Sequence, residues 1–240
     1  MKPTLESLPR RFYTVVDVVA TQDGFAVRLD ERAPRTPGGR PIILPTQALA
    51  MLVASEWEAQ SDAIVWAAMP ATRLTHIVLD APASARREMI REVVGFAGDD
   101  LVCYFAESPA GLVARQELAW SPLIEWARVE LGLEFRTSVG VTPQAQPRAA
   151  LTGVEVLAEG QDDFALAALA SAAKLFGSAV LALALMRGRL GGATAFAAST
   201  IDETFQAELW GVDAGAEERL RAMGAEAAFL AAWFEALRRP

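Results

Sequence analysis

The stretch FALAALASAAKLFGSAVLALALM (164–186) decides what kind of protein this chain builds. Its 23 residues exceed the roughly 20 apolar residues that cross a bilayer. Lys174 sits near its centre, however, where a charge costs about 2.5–3.5 kcal/mol on insertion scales, and alanine and serine dilute its hydrophobicity. The segment therefore reads as a helix buried on most sides within a helical domain, without stable membrane insertion.

Outward from that segment the helical pattern continues. Helices are expected at about 149–158, 162–187, 193–210 and 216–236, separated by glycine-bearing breaks at 160, 188–192 and 211–215. Upstream, Ile90, Val93, Val94 and Ala97 follow the i, i+3, i+4, i+7 spacing of a buried helix face. Ser121-Pro122 reads as a helix start with proline at the first helical position, followed by an apolar stripe of Leu123, Ile124, Ala127 and Leu131. Residues 137–148 (TSVGVTPQAQPR) are the least helical part of this half and read as extended.

The first third has a different period. FYTVVDVV (12–19) is β-branched and aromatic, and Asp23-Gly24 is a hairpin turn signal. Phe25, Val27 and Leu29 then alternate with Ala26, Arg28 and Asp30, as in a half-buried strand. After a turn-rich stretch (34–41) and Ile42-Ile43-Leu44, a helix with Thr46 as N-cap runs to about Gln60, and a short extended piece lies around 64–66. The expected fold class is α+β: a small β-rich N-terminal domain with one helix (1–75), then a larger all-α C-terminal domain (76–240).

Composition narrows the function. A 52% hydrophobic chain of 240 residues is globular, and its formal charge of −8 argues against nucleic acid or an anionic membrane as partner. One cysteine, Cys103, excludes an internal disulfide framework and fits a reducing cytoplasm. The start, MKPTLESLPRRFY, has no signal-peptide core and too little length for a transit peptide. With only two lysines, Lys2 and Lys174, beside abundant arginine and alanine, a GC-rich bacterial source is expected.

Chemistry-bearing motifs are scarce. One histidine, His76, and one cysteine leave no structural zinc set and no Cys–His dyad, and no serine-elbow signature accompanies His76. There is no GxGxxG after a strand and no GxxxxGK[ST]; Gly188-Arg189-Leu190-Gly191-Gly192 reads as a plain turn, with phosphate binding as the alternative. No catalytic residue, metal ligand or cofactor is expected. The rival reading is a carboxylate-dependent hydrolase built on Asp99, Asp100 and Glu56. Against it, Asp99-Asp100 read as a cap or turn, and Glu56, beside Trp57 on the apolar side of its helix, reads as half of a structural ion pair, with Arg73 for example.

The 193–210 helix is the most informative element. At 100° per residue, Ala198, Ile201, Phe205 and Leu209 share one face, a core stripe, while Phe196, Ser199, Glu203, Gln206 and Trp210 lie roughly opposite. Large aromatics mixed with Glu and Gln suit a protein-binding surface. A helix buried between two layers would carry the same pattern, and the residues alone do not separate the two readings.

The motifs RFY (11–13), LDERAPRTPGG (29–39), LPTQALAMLVASEWEAQ (44–60), MPATRLTHIVLD (69–80), DDLVCY (99–104), RQELAWSPLIEW (115–126) and IDETFQAELWG (201–211) run in order along nearly the whole chain. In them the chain resembles the ATP-synthase assembly chaperones of mitochondria and alphaproteobacteria, which attend the alpha subunit of the catalytic sector. The resemblance implies an ATP-independent binding protein that holds the free alpha subunit of F-type ATP synthase until a beta subunit replaces it. It places Glu203, Gln206, Glu208 and Trp210 in the functional C-terminal helix, and makes Glu56, Trp57 and Gln60 of EWEAQ a structural motif; the helix-face reading adds Phe196 to the partner-binding set. A bacterial cytoplasmic member is expected.

Overall fold

The computed structural model describes residues 8–140, 142, 144–211 and 214–239. The expectation of no leader rests partly on residues 1–7, which lie outside these. Contacts divide the chain into two units, one of residues 1–83 with 232–240 and the other of residues 84–231.

In the first unit, β1 (Val16–Thr21), β2 (Gly24–Leu29) and β3 (Ile43–Leu44) form an antiparallel sheet in the order β1-β2-β3. Thr21 pairs with Gly24, so the hairpin loop is Gln22-Asp23 and Gly24 already belongs to β2. The sheet packs on α1 (Gln47–Glu58), which buries Leu49, Ala50, Val53 and Trp57. The expected cap holds: the Thr46 hydroxyl accepts from Leu49 N (3.1 Å) and donates to the carbonyl of Ala236 (2.8 Å). A second helix, α2 (Pro70–Asp80), adds to the one expected here, and residue 75 falls inside it.

Glu56 explains where α2 begins. Met69, the residue before the helix, has no capping side chain, and Pro70 has no N–H. The Glu56 carboxylate accepts from Ala71 N (2.6 Å), Thr72 N (2.7 Å) and the Thr72 hydroxyl (2.8 Å). The expected ion pair with Arg73 gives way to this cap. A helix N-terminus offers unpaired donors and a partial positive charge, whereas Arg73 is exposed and acts only as a nearby charge. Burial pushes the Glu56 carboxyl above its usual range, against the lowering pull of these bonds. Beside it, Trp57 is buried between Tyr13 and Trp66, both edge-on at 5.7 Å. Buried Gln60 bridges Glu56 O and Val65 N.

The second unit is helical: α3 (Ala85–Gly98), α4 (Ala110–Leu131), α5 (Arg148–Glu159), α6 (Asp163–Phe176), α7 (Ala179–Met186), α8 (Gly192–Ser199), α9 (Ile201–Trp210) and most of α10 (Ala214–Arg238). It also holds a parallel pair of short strands, β4 (Tyr104–Phe105) and β5 (Ser138–Val139), the latter within the stretch read as extended. The expected α+β class, a small β part followed by a larger helical part, holds. Ser121-Pro122 does not start a helix: Pro122 lies inside α4, on an exposed turn. Buried Trp120, Leu123 and Trp126 on the other face outweigh the roughly 3 kcal/mol that an internal proline costs.

The 164–186 stretch is two helices rather than one. Gly177, at φ 62°, ends α6 in the left-handed conformation that glycine adopts freely, and Ser178 caps α7 through Leu181 N (3.0 Å). Lys174 is exposed, and among the described residues no helix is long and apolar enough to cross a membrane. All eight residues of α7 are buried. Its first N–H groups therefore cannot reach water, and fully buried Asp100 accepts from Val180 N (3.0 Å) and Val102 N (3.3 Å). Burial pushes this carboxyl up to about 6, and pushes the neighbouring Cys103 thiol up to about 12.

Glu56→Ala strips two amides and a hydroxyl of a charged acceptor and is expected to cost about 2 kcal/mol in urea unfolding. Trp57→Arg buries an unpaired charge and is expected to cost more than about 4 kcal/mol, with loss of soluble yield; a variant melting like the parent would show that this indole is not core.

Asp100 binds its proton more tightly in the folded than in the unfolded chain. Its contribution is complete below the ordinary value of 3.8 and is lost as pH rises through about 6. Relative to Asp100→Asn, the parent is expected to lose on the order of 3 kcal/mol over that window. Parallel pH–stability curves for the two proteins would contradict this.

Candidate partner-binding surface

The continuous 193–210 helix expected from the sequence is broken at Thr200, whose φ and ψ are −121° and 23°. Side chains compete for the carbonyls at the break. The hydroxyls of Ser199 and Thr200 both donate to Phe196 O (2.9 and 3.0 Å), and the Trp120 indole N–H donates to Ala198 O (2.9 Å). A continuous helix would have given those carbonyls to the amides of residues 200 and 202.

The break changes which residues face outward. Ser199 is buried and Phe196 half-buried, its ring 3.5 Å from where a β-carbon at Gly224 would stand, so Phe196 packs toward α10. The expected core stripe is also corrected. Ile201 and Phe205 are half-buried and Leu209 is 60% exposed, because α9 lies on the unit's surface and buries no residue completely. At its own start α8 lies tight on α10: a β-carbon at Gly192 would come within 2.5 Å of Ala227 O.

Helix α9 is mounted on α4. Arg115 pairs bidentately with Glu208 (2.9 and 2.7 Å) and lies 5.1 Å from the Phe205 ring centroid. The arginine holds the Glu208 carboxyl below its usual range. Buried Gln116 donates to Asp202 (2.6 Å) while accepting from Ala106 N (2.7 Å). These anchors leave Glu203, Gln206, Leu209 and Trp210 exposed, Trp210 at 85%. Beside the start of α9 runs a groove of about 550 Å³, lined by Leu118, Pro122 and Leu123 of α4, Leu190, Ala197 of α8 and Ile201. Leu118 is 81% exposed. The anchoring of α9 by Gln116 and Asp202 was not anticipated, because among the several polar residues of their motifs nothing in the sequence marks these two as partners.

The other chemistry-bearing residues are committed elsewhere. Glu56 caps α2, Asp100 serves α7, and Asp99 accepts from the Tyr104 hydroxyl (2.6 Å), so each carboxylate of the hydrolase reading already has a structural bond. Glu56 belongs to one unit and the aspartates to the other. Among the described residues no cluster of three His, Cys, Asp or Glu could hold a metal. The amides of Gly188, Arg189 and Leu190 close the end of α7 on Leu185 O and Ala184 O, which makes the glycine loop a turn. His76 is half-buried beside Trp66, and burial lowers its pKa.

The family model described as ATP12 chaperone protein matches residues 10–128. The whole fold is similar to Atp12 from Paracoccus denitrificans, at 38% identity over 96% of this chain and 99% of that one, with a TM-score of 0.90. A mutant of the same P. denitrificans protein matches at the same identity and TM-score. An Agrobacterium tumefaciens protein, described as a candidate chaperone, matches at 38% over 96% of this chain and 87% of that one, with a TM-score of 0.89. With such identity over nearly the full length of its relatives, the chain belongs to the ATP12 chaperone protein family, the ATP-synthase assembly chaperones that its motifs resemble.

Proposed function

We propose that this chain is an ATP-independent assembly chaperone of the bacterial cytoplasm. It binds the free alpha subunit of F-type ATP synthase and shields the surface that a beta subunit later covers. One observation carries the reading: α9 exposes Trp210 and Leu209 beside Glu203 and Gln206 on a helix anchored from behind by Arg115 and Gln116. Large apolar side chains left in water next to polar ones are the composition of an interface, in which aromatics anchor and polar groups orient. The neighbouring groove extends the apolar area. Shielding of this kind needs surface and reversibility, and no bond is made or broken. Within the expected contact set, Glu203, Gln206 and Trp210 meet the partner; Glu208 acts through Arg115 by holding the helix in place, and Phe196 packs toward α10.

Co-expression with the alpha subunit alone is expected to give a complex on size-exclusion chromatography that dissolves when the beta subunit is added. A substrate turned over by the purified chain, with lone alpha subunits no more soluble in its presence, would reverse the reading. Glu203→Lys is expected to leave the unfolding midpoint within about 0.5 kcal/mol of the parent and to weaken alpha-subunit binding about tenfold. Trp210→Ala is expected to weaken it by about 2 kcal/mol, roughly thirtyfold. Unchanged binding by both variants in a pull-down titration would remove α9 from the interface.

A further inference from the structure

The N-terminal sheet ends on an open edge. In the order β1-β2-β3, β1 has no neighbour on its outer side among the described residues. The bond from Asp30 N to Val15 O (3.0 Å) sets the phase of the β1–β2 ladder. With Val16 opposite Leu29, the bonded pairs are then those of Asp17, Val19 and Thr21, and the backbone groups of Val16, Val18 and Ala20 point outward. They have no backbone partner among the described residues. Such edges are ordinarily blunted by lysine, proline or a bulge. VDVVAT has none of the three, and its single charge, Asp17, is paired across the strands with Arg28 at 2.6 Å.

The helix behind the sheet presents an exposed stripe beside β1. On α1, Gln47, Met51 and Ser55 are exposed along one stripe that ends at Glu58. Between that stripe and β1 lies a groove of about 620 Å³, whose apolar floor includes Val15 and Met51, 58% and 57% exposed. It lies beside the three residues whose backbone groups point outward, two of which, Val16 and Val18, line it. Two carboxylates and no cation line it. Arg11 comes only within 4.0 Å of Glu58 and otherwise donates to backbone carbonyls.

We propose that β1 is a strand-addition site: an extended segment of the client polypeptide pairs with the outward groups of Val16, Val18 and Ala20. It lays apolar side chains against Met51 and a lysine or arginine toward Glu58. The backbone supplies affinity and the groove supplies selection, the division usual in β-augmentation. This rests on the alpha subunit being the client and adds a second contact, in the other unit from α9.

The test is backbone hydrogen exchange of the full chain with and without purified alpha subunit. The amides of Val16, Val18 and Ala20 are expected to slow at least tenfold in the complex, while those of Asp17, Val19 and Thr21 are slow in both states. Val18→Pro removes one outward N–H and leaves the β1–β2 bonds intact. It is expected to weaken binding about tenfold, and Glu58→Lys to weaken it as well, whereas Val18→Ala, which keeps the N–H and trims only a side chain lining the groove, weakens it less than Val18→Pro. Binding of the alpha subunit with the three amides still fast would overturn the site alone. No binding by the unmodified chain would overturn the client assignment and the site together. Protection without the alpha subunit also overturns it: growing with chain concentration, it would assign the edge to a second copy, and independent of concentration, to the chain itself.

Discussion

A buried helix must find partners for the N–H groups of its first turn, because water cannot reach them and an unpaired donor there costs about 1–3 kcal/mol. Both units meet that demand with a carboxylate from a distant part of the sequence. Asp100 reaches the start of α7, a helix with no exposed residue, and Glu56 reaches the start of α2, where Pro70 and Met69 provide no cap of their own. Each carboxylate is drawn out of water by the helix it serves, and burial raises both pKa values even as the bonded amides pull the other way. Remove either and the loss is not one contact but the point at which two elements are registered against each other.

That internal order is what allows α9 to stay on the surface. The helix buries no residue fully, and ten residues are too few to be stable alone in water. It persists because α4 holds it from beneath, through a bidentate arginine–carboxylate pair, a buried glutamine and a ring packed over Gly111. Trp210 and Leu209 can then remain exposed without the helix rolling to bury them. In the proposed function, this exposed apolar area held in one orientation is the part that meets the partner. The same logic applies to β1, whose open edge is backed by α1 and by the paired hairpin.

Much of the architecture was legible from pattern. Period-two alternation at Phe25, Val27 and Leu29 marked β2, the Thr46 cap marked α1, and the Ile90–Val93–Ala97 spacing marked the buried face of α3. The misreadings share one cause, competition from groups whose pull toward the core or toward a helix end does not show in the local pattern. Phase counting carried 193–210 straight through Thr200, but the Trp120 indole takes the Ala198 carbonyl from 78 positions away. Proline at 122 looked like a start because the pull of Trp120 and Trp126 toward the core cannot be seen locally. Glu56 looked like half of an ion pair because a helix terminus is not a residue and leaves no charge in the sequence.

By itself the sequence determined the two periodicities, and hence a β-rich first part and a helical remainder. It also determined that Lys174 and the small residues around it argue against a membrane span, and that the chain carries motifs of an assembly-chaperone family. These follow from local propensity and composition, which act over a few residues and can be counted. Only the tertiary structure decided where α8 ends and α9 begins, which of the aromatics stay in water, and that β1 has no neighbour on its outer side among the described residues. Those outcomes depend on which donor reaches which carbonyl and which face is already covered, and burial of that kind is a property of the packed chain.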